Sequence, residues 1–519
     1  MSRTCYGSEQ RWLGTATVSR YMFLSLIGLM CAMAVPLNGQ NPGQNPDQGT
    51  LEKRVEQLTE AMTRAQAQLQ ESQRQLEELR GQLATLRQQM AGVPAETASS
   101  SDATDLARAV DEIRERQAIQ ESQIATHEQA KVESESKYPV KLTGLILLNG
   151  FVNTRQVDVA ATPAIAIDGA GSTGVSMRQT VLGLDARGPH LFGASSHADV
   201  RVDFDGGSQS GGASGVYAGG IVRMRTAHAA FDWDHTEVFF SYDRPLISPH
   251  TPDSLTAIAL PALAWSGNLW AWNPQIGLTH DLLNSTGQRL RLQAAVIDVF
   301  DPPQLYNGSS SASSGAASQP TTAENSRWPG VETRIALLGA DDEKSAQVGL
   351  GGYFAPHRTS GGIDFDSWAG TLDYRQPLPG RMELTGNFYR GQALGGLGGG
   401  DYKDYSYAVN PLYPGEVYFR ALDDVGGWAQ WQLRASERLR FNAAYGIDNL
   451  PAGQLRPYAG PSTAVYQNLA RNRTFTGNAI YSPSAYLIFS LEYRHLASSP
   501  VVGQTASGNT IGIAAGYKF

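Results

Sequence analysis

The segment Ile511-Gly512-Ile513-Ala514-Ala515-Gly516-Tyr517-Lys518-Phe519 decides the reading of this chain. In an extended strand, side chains alternate between two faces. Ile511, Ile513, Ala515, Tyr517 and Phe519 then share one face, and Gly512, Ala514, Gly516 and Lys518 the other. The same alternation lies just upstream, where Leu487, Phe489, Leu491 and Tyr493 oppose Ile488, Ser490, Glu492 and Arg494. It recurs at Leu439, Phe441, Ala443 and Tyr445 against Arg438, Arg440, Asn442 and Ala444.

Working back from the end, the period of two continues to about residue 140. Candidate strands fall at 140–153, 174–188, 195–205, 219–233, 236–243, 270–281, 287–299, 331–341, 345–355, 363–376, 380–391, 425–435, 437–448, 471–482, 484–496 and 508–519. That is sixteen, and an even count suits a bacterial outer-membrane barrel. Tight connections such as 434–439 and 377–382 alternate with long ones such as 301–330 and 391–424. Barrels of this kind pair short periplasmic turns with long outer loops. Of the long ones, 301–330 or 391–424 is expected to fold inward and narrow the lumen. Trp265, Trp270, Trp272, Trp428, Trp431, Tyr481, Tyr486 and Tyr493 are placed as interfacial girdles. The mean hydropathy of −0.29 is no obstacle, because only every second strand residue touches lipid. Past the N-terminus no apolar run reaches the length of a membrane-crossing helix.

The N-terminal part reads differently. Residues 1–34 form a secretory signal: Arg11 and Arg20 precede an apolar run from Met22 to Val35, with Ala32-Met33-Ala34 as a cleavage site. Both cysteines, Cys5 and Cys31, lie inside it, so the processed chain has none for a disulfide. Residues 35–50 are a Gln/Asn/Gly/Pro linker. Over 51–90, Leu51, Val55, Leu58, Met62, Ala65, Leu69, Ser72, Leu76, Leu79, Leu83, Leu86 and Met90 recur at four-three spacing. This heptad seam predicts a coiled coil, roughly 60 Å long at 1.5 Å per residue. It does not define the number of chains. Residues 91–137 are a linker and a weaker helical segment, and 138–519 the barrel. Strand 1 of an even-stranded barrel starts where the last strand ends, which puts the coil in the periplasm.

No catalytic set, metal-spaced histidine pair, phosphate loop or cofactor motif stands out. The acid pairs Asp341-Asp342 and Asp423-Asp424 read as solvated turns, with a calcium site the less favoured alternative. The basic residues are the informative ones. From residue 138 there are 23 Arg, 4 Lys and 31 acids, a net of 27 minus 31, or −4. Arg recurs at i, i+2 in Arg223/Arg225, Arg289/Arg291, Arg438/Arg440 and Arg471/Arg473, and Arg334 joins them as a lumen candidate. Val222/Met224, Leu290/Leu292 and Leu439/Phe441 sit in the opposite phase. A charge facing lipid costs roughly 2–4 kcal/mol near the midplane, so these Arg are expected to line the pore. Asp199, Asp203 and Asp205 are expected to form an opposing acidic wall and a transverse field. A guanidinium binds carboxylates through two parallel hydrogen bonds, so the set would favour anions. The bland alternative is that each Arg is a structural ion pair in a watery lumen.

The terminal Phe519 on its alternating strand resembles the C-terminal assembly signal of outer-membrane β-barrel proteins. The order signal, heptad coil, barrel and final Phe resembles the DcaP-like family of outer-membrane porins. Gln179–Gly188 (QTVLGLDARG), Arg201–Asp205 (RVDFD), and Arg223–Asp243 followed by Pro245 and Ser248–Pro252 carry the resemblance. It implies a homotrimer of sixteen-stranded barrels in outer-membrane lipid, a periplasmic coil, and uptake of small organic anions such as dicarboxylates. The expectation is therefore a passive porin, with no cofactor, no nucleic-acid partner and no enzymatic role. A structural tether and a sugar-selective porin are the alternatives. A trimeric autotransporter would need far fewer barrel residues per chain.

Overall fold

The computed structural model describes residues 139–206, 220–283, 287–302, 320–339, 345–409, 412–413, 417–459 and 465–519. The signal, linker and coil of residues 1–137 lie outside the described residues, as do Asp341 and Asp342.

The chain lays down β1 (Val140–Val157), β2 (Ala166–Ser176), β3 (Val181–Arg187), β4 (Ser195–Gly206), β5 (Ile221–Asp232) and β6 (Thr236–Asp243). Next come β7 (Asn273–Leu283), β8 (Arg289–Ile297), β9 (Gly330–Leu338), β10 (Gln347–Arg358), β11 (Asp364–Leu378) and β12 (Met382–Gln392). A short hairpin, β13 (Tyr405–Val409) and β14 (Val417–Ala421), stands apart from the main sheet. The chain finishes with β15 (Asp423–Arg434), β16 (Leu439–Asn449), β17 (Leu469–Tyr481), β18 (Leu487–Pro500) and β19 (Ala506–Lys518). All but the hairpin join one 17-stranded sheet of antiparallel neighbours. β2 and β3 lie end to end along β1, which pairs with β2 from Asn149 and with β3 up to Leu145. They are one interrupted stave, so the wall has sixteen. β19 pairs with β1 and closes the barrel, leaving no exposed edge.

Every expected strand position corresponds to a stave. The reason is local: lipid takes an apolar face, and water or the inner loops take the other. Leu148, Phe240, Ile276, Leu350, Phe388, Leu491 and Ile513 are exposed outward. Asn149, Asp373, Asn387, Asn442, Asn478 and Glu492 are buried on the inward phase. Phe519 joins the wall, its N–H donating to the Gly144 carbonyl at 3.1 Å and its carbonyl accepting from Gly144 at 3.0 Å. Its ring lies where a side chain on Gly144 would stand, with a Cβ there 2.5 Å from Cζ, so a larger residue at 144 would make the Phe519 ring move.

Connections at one end are short (188–194, 233–235, 379–381, 435–438, 482–486). At the other end lie the long ones, 244–272, 298–329, 393–422 and 450–468. Both ends of the barrel chain, Val140 and Lys518, are at the short-turn end.

Candidate functional site

The connection Arg244–Trp272 runs inside the barrel, and the inward side chains of the wall hold its backbone. Buried peptide groups need hydrogen-bond partners, and this loop finds them among Asn, Gln, Thr and Glu. The Ile247 carbonyl accepts from Thr371 Oγ1 at 3.0 Å and Asn387 Nδ2 at 3.1 Å. Asp253 N–H donates to Gln430 Oε1 at 2.7 Å, and its carboxylate accepts from Gln432 at 2.6 Å. Ser254 donates to Glu492 at 2.5 Å, and the Leu255 carbonyl accepts from Asn149 at 3.1 Å. Gln179 holds Thr256 to Ala259. Asn472 donates to the carbonyls of Ala164 and Trp265 at 2.9 and 2.8 Å. Near its end the loop lies directly on β16, where a side chain on Gly446 would collide with the Ser266 carbonyl. His250 stands 3.6 Å from Asp373, and burial pushes its imidazole down to about 4.

The loop circles the wall and leaves a cavity of about 160 Å³, lined by Arg225, Arg244, Thr251–Ser254, Ala257, Ile258, Pro261, Asn268, Trp270 and Trp272. The Arg225 guanidinium sits over Trp272 at 5.1 Å, and Arg223 at 5.4 Å. Arg244 faces this cavity, its carboxylate neighbour being Asp243 at 4.0 Å.

The sequence-selected residues divide into two groups. Arg223, Arg225, Arg289, Arg291, Arg334 and Arg440 are on the inward phase, but most are matched by acids. Arg223 grips the fully buried Asp203 at 2.7 and 3.0 Å, and Arg225 lies 3.9 Å from it. Arg291 makes a two-pronged pair with Asp281 at 2.8 Å, and Arg289 is 3.6 Å from the same carboxylate. Arg334 and Asp373 pair at 2.7 and 2.8 Å, both almost fully buried. Arg440 reaches Asp253 of the loop at 3.9 Å. Arg438 sits in the turn before β16, its N–H on Ser436.

Several expectations fail here. Arg471 and Arg473 do not line the lumen: their neighbours Asn472 and Thr474 point inward to the loop, so both Arg share the outward phase of Phe475. Asp199, Asp203 and Asp205 form no opposing wall. They sit on the strand next to Arg223, and Asp199 pairs with Arg201 at 3.4 Å, so charge is neutralised within one wall. Trp265, Trp270, Trp272 and Trp428 are not girdle residues; three belong to the inward loop and Trp428 packs with Leu263. The loop that circles the lumen is 244–272. From 391–424, only the start plugs the mouth, and residues 303–319 lie outside the described residues.

That plug is Leu394–Asp404. Tyr402 stacks between Trp265 at 4.0 Å and Tyr466 at 4.5 Å. The buried Lys403 ammonium donates to the Asp401 and Tyr466 carbonyls at 2.9 and 2.8 Å. Burial brings it down to about 8, against the pull of Asp401, Asp448 and Asp424. Burial also pushes the Asp401 carboxyl well up, with Asp448 adding to it. Among the described residues no group of three or more His, Cys, Asp or Glu could hold a metal ion.

Sequence reasoning missed Arg244 and Gln179. Arg244-Pro245 directly after a strand, followed by the Trp-rich run Trp265–Trp272, was the available signal for the inward loop. Gln179 carried none beyond its place near a strand start.

A closed barrel with an inward loop and an apolar outer face defines a class: a transmembrane β-barrel of the outer-membrane channel type. The described fold is similar to the outer-membrane channel DcaP of Acinetobacter baumannii, at 15% identity over 74% of this chain and 99% of that one, with a TM-score of 0.55. More distant likenesses include OmpT of Vibrio cholerae (8% identity, 74% and 98% covered, TM-score 0.42). Another is an anion-selective porin from Comamonas acidovorans (11%, 74% and 100%, 0.42). Of these, the DcaP channel is near enough to define the fold. No family model and no curated protein matches the sequence.

Proposed function

We propose that this chain is a DcaP-like outer-membrane porin that passes small organic anions, dicarboxylates among them, through the cavity enclosed by Arg244–Trp272. The observation that carries this reading is Arg244 at the wall of that cavity, beside Arg225. Arg223, Arg291 and Arg334 are held by short two-pronged carboxylate pairs, whereas Arg225 and Arg244 have acids only at 3.9 and 4.0 Å and line the cavity, which favours these two for attracting a solute. A guanidinium in a narrow, partly dry passage attracts a carboxylate by more than it would in bulk water. The barrel sits in the outer membrane. The heptad pattern of 51–90 is read as a self-associating segment, in keeping with a homotrimer.

Planar-bilayer recording in a salt gradient tests this. An anion-selective reversal potential that moves toward zero in Arg244→Ala supports it, and a cation-selective or non-conducting wild type sinks it. The second reading, a sugar-selective porin, rests on Trp270 and Trp272 in the cavity wall, since indole faces stack on sugar rings. Block of the current by neutral oligosaccharides, with Arg244→Ala silent, would favour it instead.

A further inference from the structure

The second stave of the barrel is broken where it need not be. β2 ends at Ser176 and β3 begins at Val181, with a turn between them closed by Thr180 N–H on the Met177 carbonyl at 3.0 Å. β1 therefore lacks a backbone partner on this side near Leu147, whose N–H is taken by Thr180 Oγ1 at 3.1 Å instead. A ladder defect in a membrane wall leaves peptide groups to be satisfied by other means. Irregularities of this kind recur where a strand must re-aim a side chain.

The side chain re-aimed here is Gln179. It is buried, 1% exposed, and makes three bonds to one stretch of the inward loop. Its Nε2 donates to the Thr256 carbonyl at 2.9 Å, and its Oε1 accepts from Ile258 N–H at 2.7 Å and Ala259 N–H at 3.1 Å. The carbonyls of the same two residues accept from the arginines: Ile258 from Arg225 Nη1, and Ala259 from Arg223 Nη2 at 2.6 Å. Ile258 and Ala259 are thus held by Gln179 through their N–H groups and by Arg through their carbonyls.

We propose that Gln179 is a positioning residue for solute selectivity, placing the Arg225 guanidinium at the cavity through the Ile258 and Ala259 peptides. The proposal rests on the anion-porin reading above. Arg225 has Asp203 at 3.9 Å on one side and the Ile258 carbonyl on the other. If the loop peptides drift, that carbonyl no longer holds the guanidinium at the cavity wall. The arginine then settles on Asp203, and its charge is cancelled for a passing solute.

The test is a double-variant comparison in planar bilayers on the full-length, membrane-folded protein. Gln179→Met keeps the side-chain length and removes all three bonds. Its reversal potential is expected to move toward zero. In the Arg225→Ala background the same change is expected to do nothing further. Gln430→Met unties the loop at Asp253 instead, and separates positioning of Arg225 from general loop anchoring. It is expected to leave selectivity nearer to wild type. Heat-modifiable gel migration confirms folding, and Gln179→Asn, with a milder expected loss, serves if the methionine variant does not fold. An additive effect of Gln179→Met on Arg225→Ala, or an equal loss in Gln430→Met, would overturn the proposal. A wild type without anion selectivity would overturn the porin reading with it, and a selective wild type unmoved by Gln179→Met would overturn this inference alone.

Discussion

Arg223/Arg225 and Arg471/Arg473 are the same two-residue pattern on two strands, and they face opposite ways. The first pair turns inward, onto Asp203 and the loop carbonyls. The second turns outward, with Arg471 on Asn449 at 2.6 Å near the loop end of the barrel. A period of two says which residues share a face and not which face is wet. The intervening residues decide: Val222 and Met224 go to lipid, whereas Asn472 and Thr474 have loop groups to bind. Close to the rim an outward arginine costs far less than at the midplane, so the inversion is tolerated.

The largest effect is expected at the buried acid Asp203. Asp203→Ala strands the inward pair, and barrel stability is expected to fall by about 3 kcal/mol. Urea-driven unfolding from lipid vesicles measures this, and a loss no larger than that of Arg471→Ala would show the two pairs to be equivalent. Next, Asn472→Leu removes the inward contact that turns Arg471 and Arg473 outward. It should cost about 2 kcal/mol in the same assay and make channel noise rise as the loop loosens.

Selectivity gives a smaller free-energy change with a sharper readout. Arg244→Ala is expected to weaken solute attraction by about 1 kcal/mol, roughly a fivefold drop in the anion-to-cation permeability ratio. Arg473→Ala should leave the ratio unchanged, and an equal shift from both would remove the distinction between inside and outside.

The smallest expected effect is on pH. Asp401 in the mouth plug has a raised carboxyl pKa because of burial, with Asp448 raising it further and Lys403 and Arg471 opposing. A raised value means the packed plug favours the protonated form. That contribution is complete below the ordinary carboxylate value of 3.8 and is lost as pH rises through the shifted one. Asp404 and Asp158, also raised chiefly by burial, act in the same direction. Lys403 has the opposite sense of shift, and its effect falls between about 8 and its ordinary 10.5, outside the acid window. Closures should therefore become more frequent as pH falls through the raised carboxyl value toward 3.8, and Asp401→Asn should flatten that dependence. Single-channel records at stepped pH check it, and a pH-independent closure rate in the wild type would exclude a titrating plug.

Much of the wall was legible residue by residue. Leu487–Arg494 and Ile511–Phe519 announce their lipid and lumen faces because a strand's alternation is a local property and lipid rejects polar groups on one side. Arg223, Arg225, Arg289, Arg291, Arg334 and Arg440 were placed inward for the same reason. Their neutralisation was not legible, since it depends on which acid lies across the ladder, as with Arg334 on Asp373 thirty-nine residues away. Nor was the choice of loop. Nothing local to Arg244–Trp272 shows that the Asp253 carboxylate will meet Gln432, 179 residues on, or that the Ser254 hydroxyl will meet Glu492, 238 residues on. From the chain alone one can read a sixteen-stave barrel, its strand positions and which residues share a face, because those follow from a repeat of two. Which face of β17 is wet, which loop fills the lumen and which arginines meet a solute all depend on hydrogen bonds and ion pairs between segments that the closing of the barrel brings together.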